Sequence, residues 1–114
     1  MIDQYITGSH MTVDGRRYTR DLKIIDGRVT SNWWRQSGHR LSSGDIADIL
    51  SAGPEILVIG TGYAGALQVP GDVHRLLKER NIRLVAEQTR SASETYNRLL
   101  ADGSRVAGAF HLTC

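Results

Sequence analysis

The stretch "LVIGTGYAGAL", residues 57–67, decides how this chain is read. Gly60, Gly62 and Gly65 spell G-x-G-x-x-G behind an apolar run. In a dinucleotide-binding turn the first glycine bends the chain, the second admits the pyrophosphate and the third lets a helix pack on its strand. The phosphate then rests at that helix's N-terminus, so the helix must begin inside the motif. Here the first residues suited to open one are Pro70-Gly71-Asp72, and Pro70 cannot stand inside a helix without disrupting it. Residues 63–69 therefore read as loop or extended chain. The acid that would hold a ribose is also misplaced, because Glu79 falls within the next helix and Glu87 stands 27 residues after Gly60. A Walker-type lysine is absent. Dinucleotide binding is thus the weakest functional reading, and no cofactor is expected. The glycines read instead as a sharp turn at the end of a buried strand.

Working outward, residues 55–59 are almost wholly apolar, as in a strand buried on both faces. Upstream, Ser42 or Ser43 can cap a helix with Ile46, Ile49 and Leu50 inward, ended by Gly53-Pro54. Downstream, the helix opened by Pro70-Gly71-Asp72 turns Val73, Leu76 and Leu77 inward. Lys78 and Arg80 suit its negative end, and Asn81 can terminate it. Residues 83–87 form the next strand. Ser91-Ala92-Ser93-Glu94 is a capping box for a helix with Ala92, Tyr96, Leu99 and Leu100 inward, stopped by Asp102-Gly103. Residues 105–113 form the last strand. If it stays regular, His111 and Cys114 face opposite ways and cannot form a nucleophilic pair.

The first third is β-rich. Asp14-Gly15 and Asp26-Gly27 are hairpin signals, since both dipeptides tolerate the positive φ of a type I′ turn. Strands are expected over 10–13, 18–25 and 29–34. Trp33 and Trp34, being neighbours in a strand, face opposite ways, one into the core and one toward a second surface or an interface. The whole is an α/β, three-layer domain with a central mixed sheet, flanking helices and an additional β portion from the N-terminal hairpins.

With 114 residues the chain reads as one domain, 1–114, able to bury a core without staples. No apolar run approaches the ~18 residues of a membrane span. Met1-Ile2-Asp3-Gln4 does not open a secretory signal, so the expected location is cytoplasmic. Gly8-Ser9-His10-Met11 resembles a tag scar but is read as part of the fold, because Ile2, Tyr5 and Ile6 precede it. Net charge is only +2. Arg16, Arg17 and Arg20 are flanked by Asp14 and Asp21, which argues against a nucleic-acid stripe. The one cysteine, Cys114, permits neither an internal disulfide nor a cysteine-based zinc site. His10, His39, His74 and His111 lie far apart without ligand spacing, so no metal is expected.

The two strands 55–59 and 83–87, joined by one helix, should be parallel. Their carboxyl ends then bring Thr61, Tyr63 and Thr89 together at the edge where open α/β sheets bind ligands. With the amides of Gly60 and Gly62, these could hold a small anion. The plainer reading, which weighs more, has Thr89 bonding local backbone and Tyr63 covering the core. Tyr96, Asn97 and His111 are secondary candidates, His111 as a half-buried, hydrogen-bonded residue.

Three segments, "LVIGTGYAG", "TRSASETYN" and "VAGAFHLTC", together with Gly38-His39 and Val13-Asp14-Gly15…Tyr18…Asp21, resemble the adipogenesis-associated Mth-domain family. This family comprises small archaeal and bacterial proteins and is similar to mitochondrial complex I assembly factor 3. The likeness covers nearly the whole chain. It implies a three-layer α/β fold with an extra β portion, and a last strand antiparallel to its neighbours where the helical crossover alone predicts parallel. In that topology His111 lies roughly 20 Å from Gly60, which breaks up any Thr–Tyr–His site. Thr61, Thr89, Ala92, Tyr96, Asn97, His111 and Cys114 match family positions, but no catalytic role comes with them. The family's eukaryotic members are tied to assembly and regulation. The expectation is therefore a non-enzymatic interaction or assembly module with a protein partner and Trp33-Trp34 as its aromatic anchor. The alternative is a small-molecule- or anion-binding domain, or a small enzyme, using Gly60, Thr61, Gly62, Tyr63 and Thr89. Whether the chain forms a homo-oligomer stays open.

Overall fold

Both Asp-Gly pairs turn the chain as their chemistry dictates. Asp14 and Gly15 take φ of 48° and 81°, and Asp26 and Gly27 take 49° and 76°, so each pair reverses a hairpin with the twist its strands require. In the computed structural model, which describes residues 1–114, β1 (Ile2–Ile6), β2 (His10–Val13) and β3 (Arg16–Tyr18) form an antiparallel sheet in that order. β4 (Leu22–Ile25) and β5 (Arg28–Ser31) pair as the second hairpin, in a different sheet. The strand expected over 18–25 is thus two strands. Thr19, Arg20 and Asp21 carry the chain from one sheet to the other, which lets Met11 and Val13 on one hairpin and Leu22 and Ile24 on the other join a common core. The strand expected over 29–34 stops at Ser31, where Asn32 takes a φ of 57°.

The second sheet has the order β5-β4-β8-β6-β7, with β6 (Ile56–Thr61), β7 (Arg83–Glu87) and β8 (Val106–His111). A 3-10 turn (Ser43–Ile46) leads into α1 (Ala47–Ala52), and α2 (Gly71–Glu79) and α3 (Thr89–Ala101) are the crossovers. β6 pairs in parallel with both β7 and β8, while β4 pairs antiparallel with β8. The last strand is therefore antiparallel to only one neighbour, and against β6 the crossover argument holds. From β6 the chain steps outward to β7, then back across β6 to β8. Two right-handed crossovers taken in opposite directions must lie on opposite faces, and their contacts place α2 and α3 so.

The packing follows the two-residue period of the strands. Ile56 and Val58 of β6, with Val106 and Phe110 of β8, meet Ala92 and Tyr96 of α3 and the first sheet's Ile2, Tyr5, Met11 and Val13. Leu57, Ile59, Ala107 and Ala109 point the other way, onto Ile46, Ile49, Val73, Leu77 and Trp33. The mixed sheet is thus the middle of three layers, and each fully buried aliphatic side chain contributes about 1.5–3 kcal/mol. Two helical expectations shift. The last helix starts at Thr89, not at the Ser91 capping box, and its Leu100 is exposed. Ser42 does cap, within a box closed by Asp45. No helix is long and apolar enough to cross a membrane.

Candidate functional site at the carboxyl edge of the mixed sheet

The strand order reverses between β6 and β8, and in open α/β sheets that switch point, at the carboxyl ends, is where ligands bind. Thr61 and His111 are register partners across it. The family resemblance separates them, but the parallel pairing sets them side by side. Thr89, at the start of α3, joins them: its Oγ1 donates to the His111 carbonyl at 2.5 Å and accepts from the Gly62 amide at 2.9 Å. Thr61 Oγ1 donates to the Glu87 carbonyl at 3.1 Å. Both hydroxyls are committed to backbone, but Thr89 bonds residues 27 and 22 positions away and not the local chain as expected.

The edge is filled by the chain itself. The Tyr63 amide donates to the Thr113 carbonyl at 2.9 Å, and the Ala66 amide to the Cys114 carbonyl at 3.0 Å. A Cβ at Gly60 would stand 2.9 Å from both Phe110 Cδ1 and Thr89 Oγ1. One at Gly62, where φ is +98°, would overlap the Thr113 carbonyl oxygen and the backbone of Cys114. The glycines thus admit the chain's own C-terminal segment where a dinucleotide turn would admit pyrophosphate. Residues 62–70 form no helix, and α2 begins only at Gly71. None of the surface recesses is lined by Thr61, Tyr63 or Thr89. Tyr63 is half-exposed, with its ring against Gly8. Tyr96 is in the core, edge-on to Phe110. Asn97 clamps β1, accepting from the Ile2 amide at 2.8 Å and donating to its carbonyl at 2.7 Å.

Three residues that local sequence pattern does not mark complete the edge. Asp21, in the link between sheets, accepts from Arg35 Nη1 at 2.8 Å and from the Leu112 amide at 2.8 Å, and its Oδ2 lies 2.8 Å from His111 Nδ1. Burial pushes the Asp21 carboxyl up, but its hydrogen bonds to His111, the Leu112 amide and Arg35 outweigh that and hold it below the ordinary value. Arg35 also donates to the Gly38 carbonyl and lies 4.7 Å over the Trp33 ring. His39, in the same segment, has its Nε2 3.1 Å from Cys114 Sγ. A regular strand would point His111 and Cys114 apart. The strand ends at His111, and beyond it the segment runs on beside loop 63–66 outside regular strand geometry, so both face the same corner.

Beyond Asp21 lies a recess of ≈ 350 Å³ whose lining includes Thr19, Arg20, Asn32, Trp33, Trp34 and Thr113. The tryptophans divide as expected, although outside a strand. Trp33 is buried and donates from Nε1 to the Asp45 carbonyl at 3.0 Å, whereas Trp34 is 76% exposed. The Trp33 amide donates to the Asp21 carbonyl at 2.9 Å, fixing the backbone beneath Trp34.

A three-stranded sheet laid on a five-stranded mixed sheet, with the switch point plugged by the chain's own C-terminal segment, defines a class of small α/β protein. The family signature described as "Protein of unknown function (DUF498/DUF598)" matches residues 2–111, and the chain belongs to that family. The fold is that of the conserved hypothetical protein PH1505 from Pyrococcus horikoshii OT3, at a TM-score of 0.86 and 21% identity over 100% of this chain and 99% of that one. MT938 is similar at 0.82 and 27% identity, covering 100% and 98%. A Bordetella pertussis protein described as a Mth938-like domain is similar at 0.69 and 26% identity, covering 98% and 85%.

Proposed function

We propose that this protein is a non-enzymatic interaction module that docks a protein partner on the recess beside Trp34. The observation that carries this reading is the exposure of Trp34, at 76%, on a backbone held by buried Trp33. A large apolar ring on a fixed base costs little entropy on binding and is the commonest kind of interface anchor. Arg20, exposed on the rim, has no acidic partner within the chain. The partner that fits offers an apolar side chain to the Trp34 indole and a carboxylate to Arg20. The resemblance to a family with assembly-linked members supports the same reading. The plugged switch point weighs against the alternative of a ligand site at Gly60, Thr61, Gly62, Tyr63 and Thr89. Trp34→Ala should weaken partner binding by about 2 kcal/mol, or roughly 30-fold, and change folding stability by less than about 0.5 kcal/mol. Affinity purification from source cells with matched thermal melts checks this. Equal partner recovery by both proteins would contradict it.

A further inference from the structure

The corner where β8 ends holds a second constellation, independent of Trp34. The fold overrides the expectation from sequence spacing that no metal could be held: ligand-capable atoms of His39, His111 and Cys114 lie within 4.8 Å of one another. Three backbone features bring them there. β8 delivers His111 to the switch point, the Ala66 amide holds the Cys114 carbonyl at 3.0 Å, and the Gln68 amide bonds the His39 carbonyl at 2.9 Å. The His39 and His111 rings meet edge-on with centroids 5.8 Å apart.

His111 is only 5% exposed, and its Nε2 has no hydrogen-bond partner. Its other nitrogen explains what Nε2 can do. Asp21 is an acceptor already tied to Arg35, so the 2.8 Å contact to His111 Nδ1 places the ring proton on Nδ1. In the neutral ring Nε2 then carries the lone pair, in a buried position where an unsatisfied acceptor is costly. A carboxylate fixing one imidazole nitrogen so that the other can ligate is the usual outer support of a metal-bound histidine. Arg35 Nη2 lies 3.2 Å from the same Nδ1, but the guanidinium is spent on Asp21 and the Gly38 carbonyl, and Asp21 offsets its charge.

We propose that His39, His111 and Cys114 bind a thiophilic divalent cation of the zinc class, with Asp21 as the positioning residue for His111 and a fourth coordination place open. Two imidazoles and a thiolate match the softness of such ions. Bond lengths of about 2.0–2.1 Å to nitrogen and 2.3 Å to sulfur put tetrahedral ligand atoms roughly 3.3–3.6 Å apart. The 3.1 Å between His39 Nε2 and Cys114 Sγ is near that spacing, and both side chains are on exposed or half-exposed chain that can adjust. On binding, the thiol loses its proton to solvent and its sulfur donates the electron pair to the metal.

The test is titration of the reduced full chain with Co²⁺, followed by competition with Zn²⁺. The expected result is one Co²⁺ per chain with a thiolate-to-cobalt charge-transfer band in the near ultraviolet. Cys114→Ser should abolish the band, and His39→Ala should weaken binding more than about 10-fold. His10→Ala and His74→Ala should leave it unchanged. Neither His39 nor Cys114 is core, so both variants should melt as the parent does. A parent protein without the band, or affinity unchanged in both ligand variants, would overturn the proposal.

Discussion

At the scale of single residues, the edge of the mixed sheet depends on two positions of opposite character. Asp21 gathers Arg35, His111 and the Leu112 amide on one carboxylate, while Gly62 works by having no side chain. Gly62→Ala would set a Cβ against the backbone of Thr113 and Cys114, at a φ of +98°. The chain would have to shift or the C-terminal segment would have to leave, so we expect a loss on the order of 2–4 kcal/mol and a clear drop in melting temperature. Gly38→Ala, with open space around it, is the control and should melt unchanged. Equal melting of the two variants would show that the C-terminal segment does not plug the edge. Gly62 is legible in the sequence as a sharp-turn glycine, but what it makes room for is not. Asp21 and His39 sit in the stretches that carry the family resemblance, yet nothing beside them in the chain marks a role. Their partners lie 90 and 75 residues away, and separation of that order is set by strand order, which local pattern does not encode.

At the scale of elements, β6, buried on both faces, is legible as a strand from its short continuous apolar run bounded by turn residues, although it extends to Thr61, two residues past its expected end. The edge strand β7, exposed or half-buried throughout, matches its expected bounds, and α2 opens within the expected Pro70-Gly71-Asp72. The start of α3 departs from its local signal. Ser91 and Glu94 satisfy a capping pattern, but Thr89 is already held by Gly62 and His111, and that tertiary anchoring starts the helix a half-turn earlier. The pairing of α3 with β8 has a consequence in alkali. Burial, with a lesser contribution from the Asp14 charge, pushes the Tyr96 phenol up from 10.0 to about 12. Between these values the unfolded chain has released the proton that the native chain keeps, so stability falls as pH rises. Below pH 10 the effect vanishes because both states are protonated. Tyr96→Phe keeps the ring on Phe110 and removes the titration. Denaturation midpoints followed from about pH 9 to about pH 11.5 should decline less steeply in the variant, and equal slopes would contradict the assignment.

At the scale of the molecule, the three-layer fold is legible from a change of period, with turn-rich strands first and alternating strands and helices after. Strand order is less so. The crossover rule makes β8 parallel to β6, the resemblance makes it antiparallel, and the finished sheet has it parallel to β6 and antiparallel to β4. The Asp21 link and the C-terminal segment meet at that edge. Asp21 holds Leu112 with its carboxylate and Trp33 with its carbonyl, so one residue braces both the plugged switch point and the base of Trp34. The docking proposed beside Trp34 draws on that arrangement. The most direct measurement is site-specific photo-crosslinking in source cells, with Trp34 kept and the reactive side chain at exposed Thr19 in the same recess or, in a control protein, at exposed Asp102. Docking at the rim predicts a discrete crosslinked partner from position 19, lost when Arg20→Glu or Trp34→Ala is added, and none from position 102. No adduct at 19, or the same adducts at both positions, would contradict it.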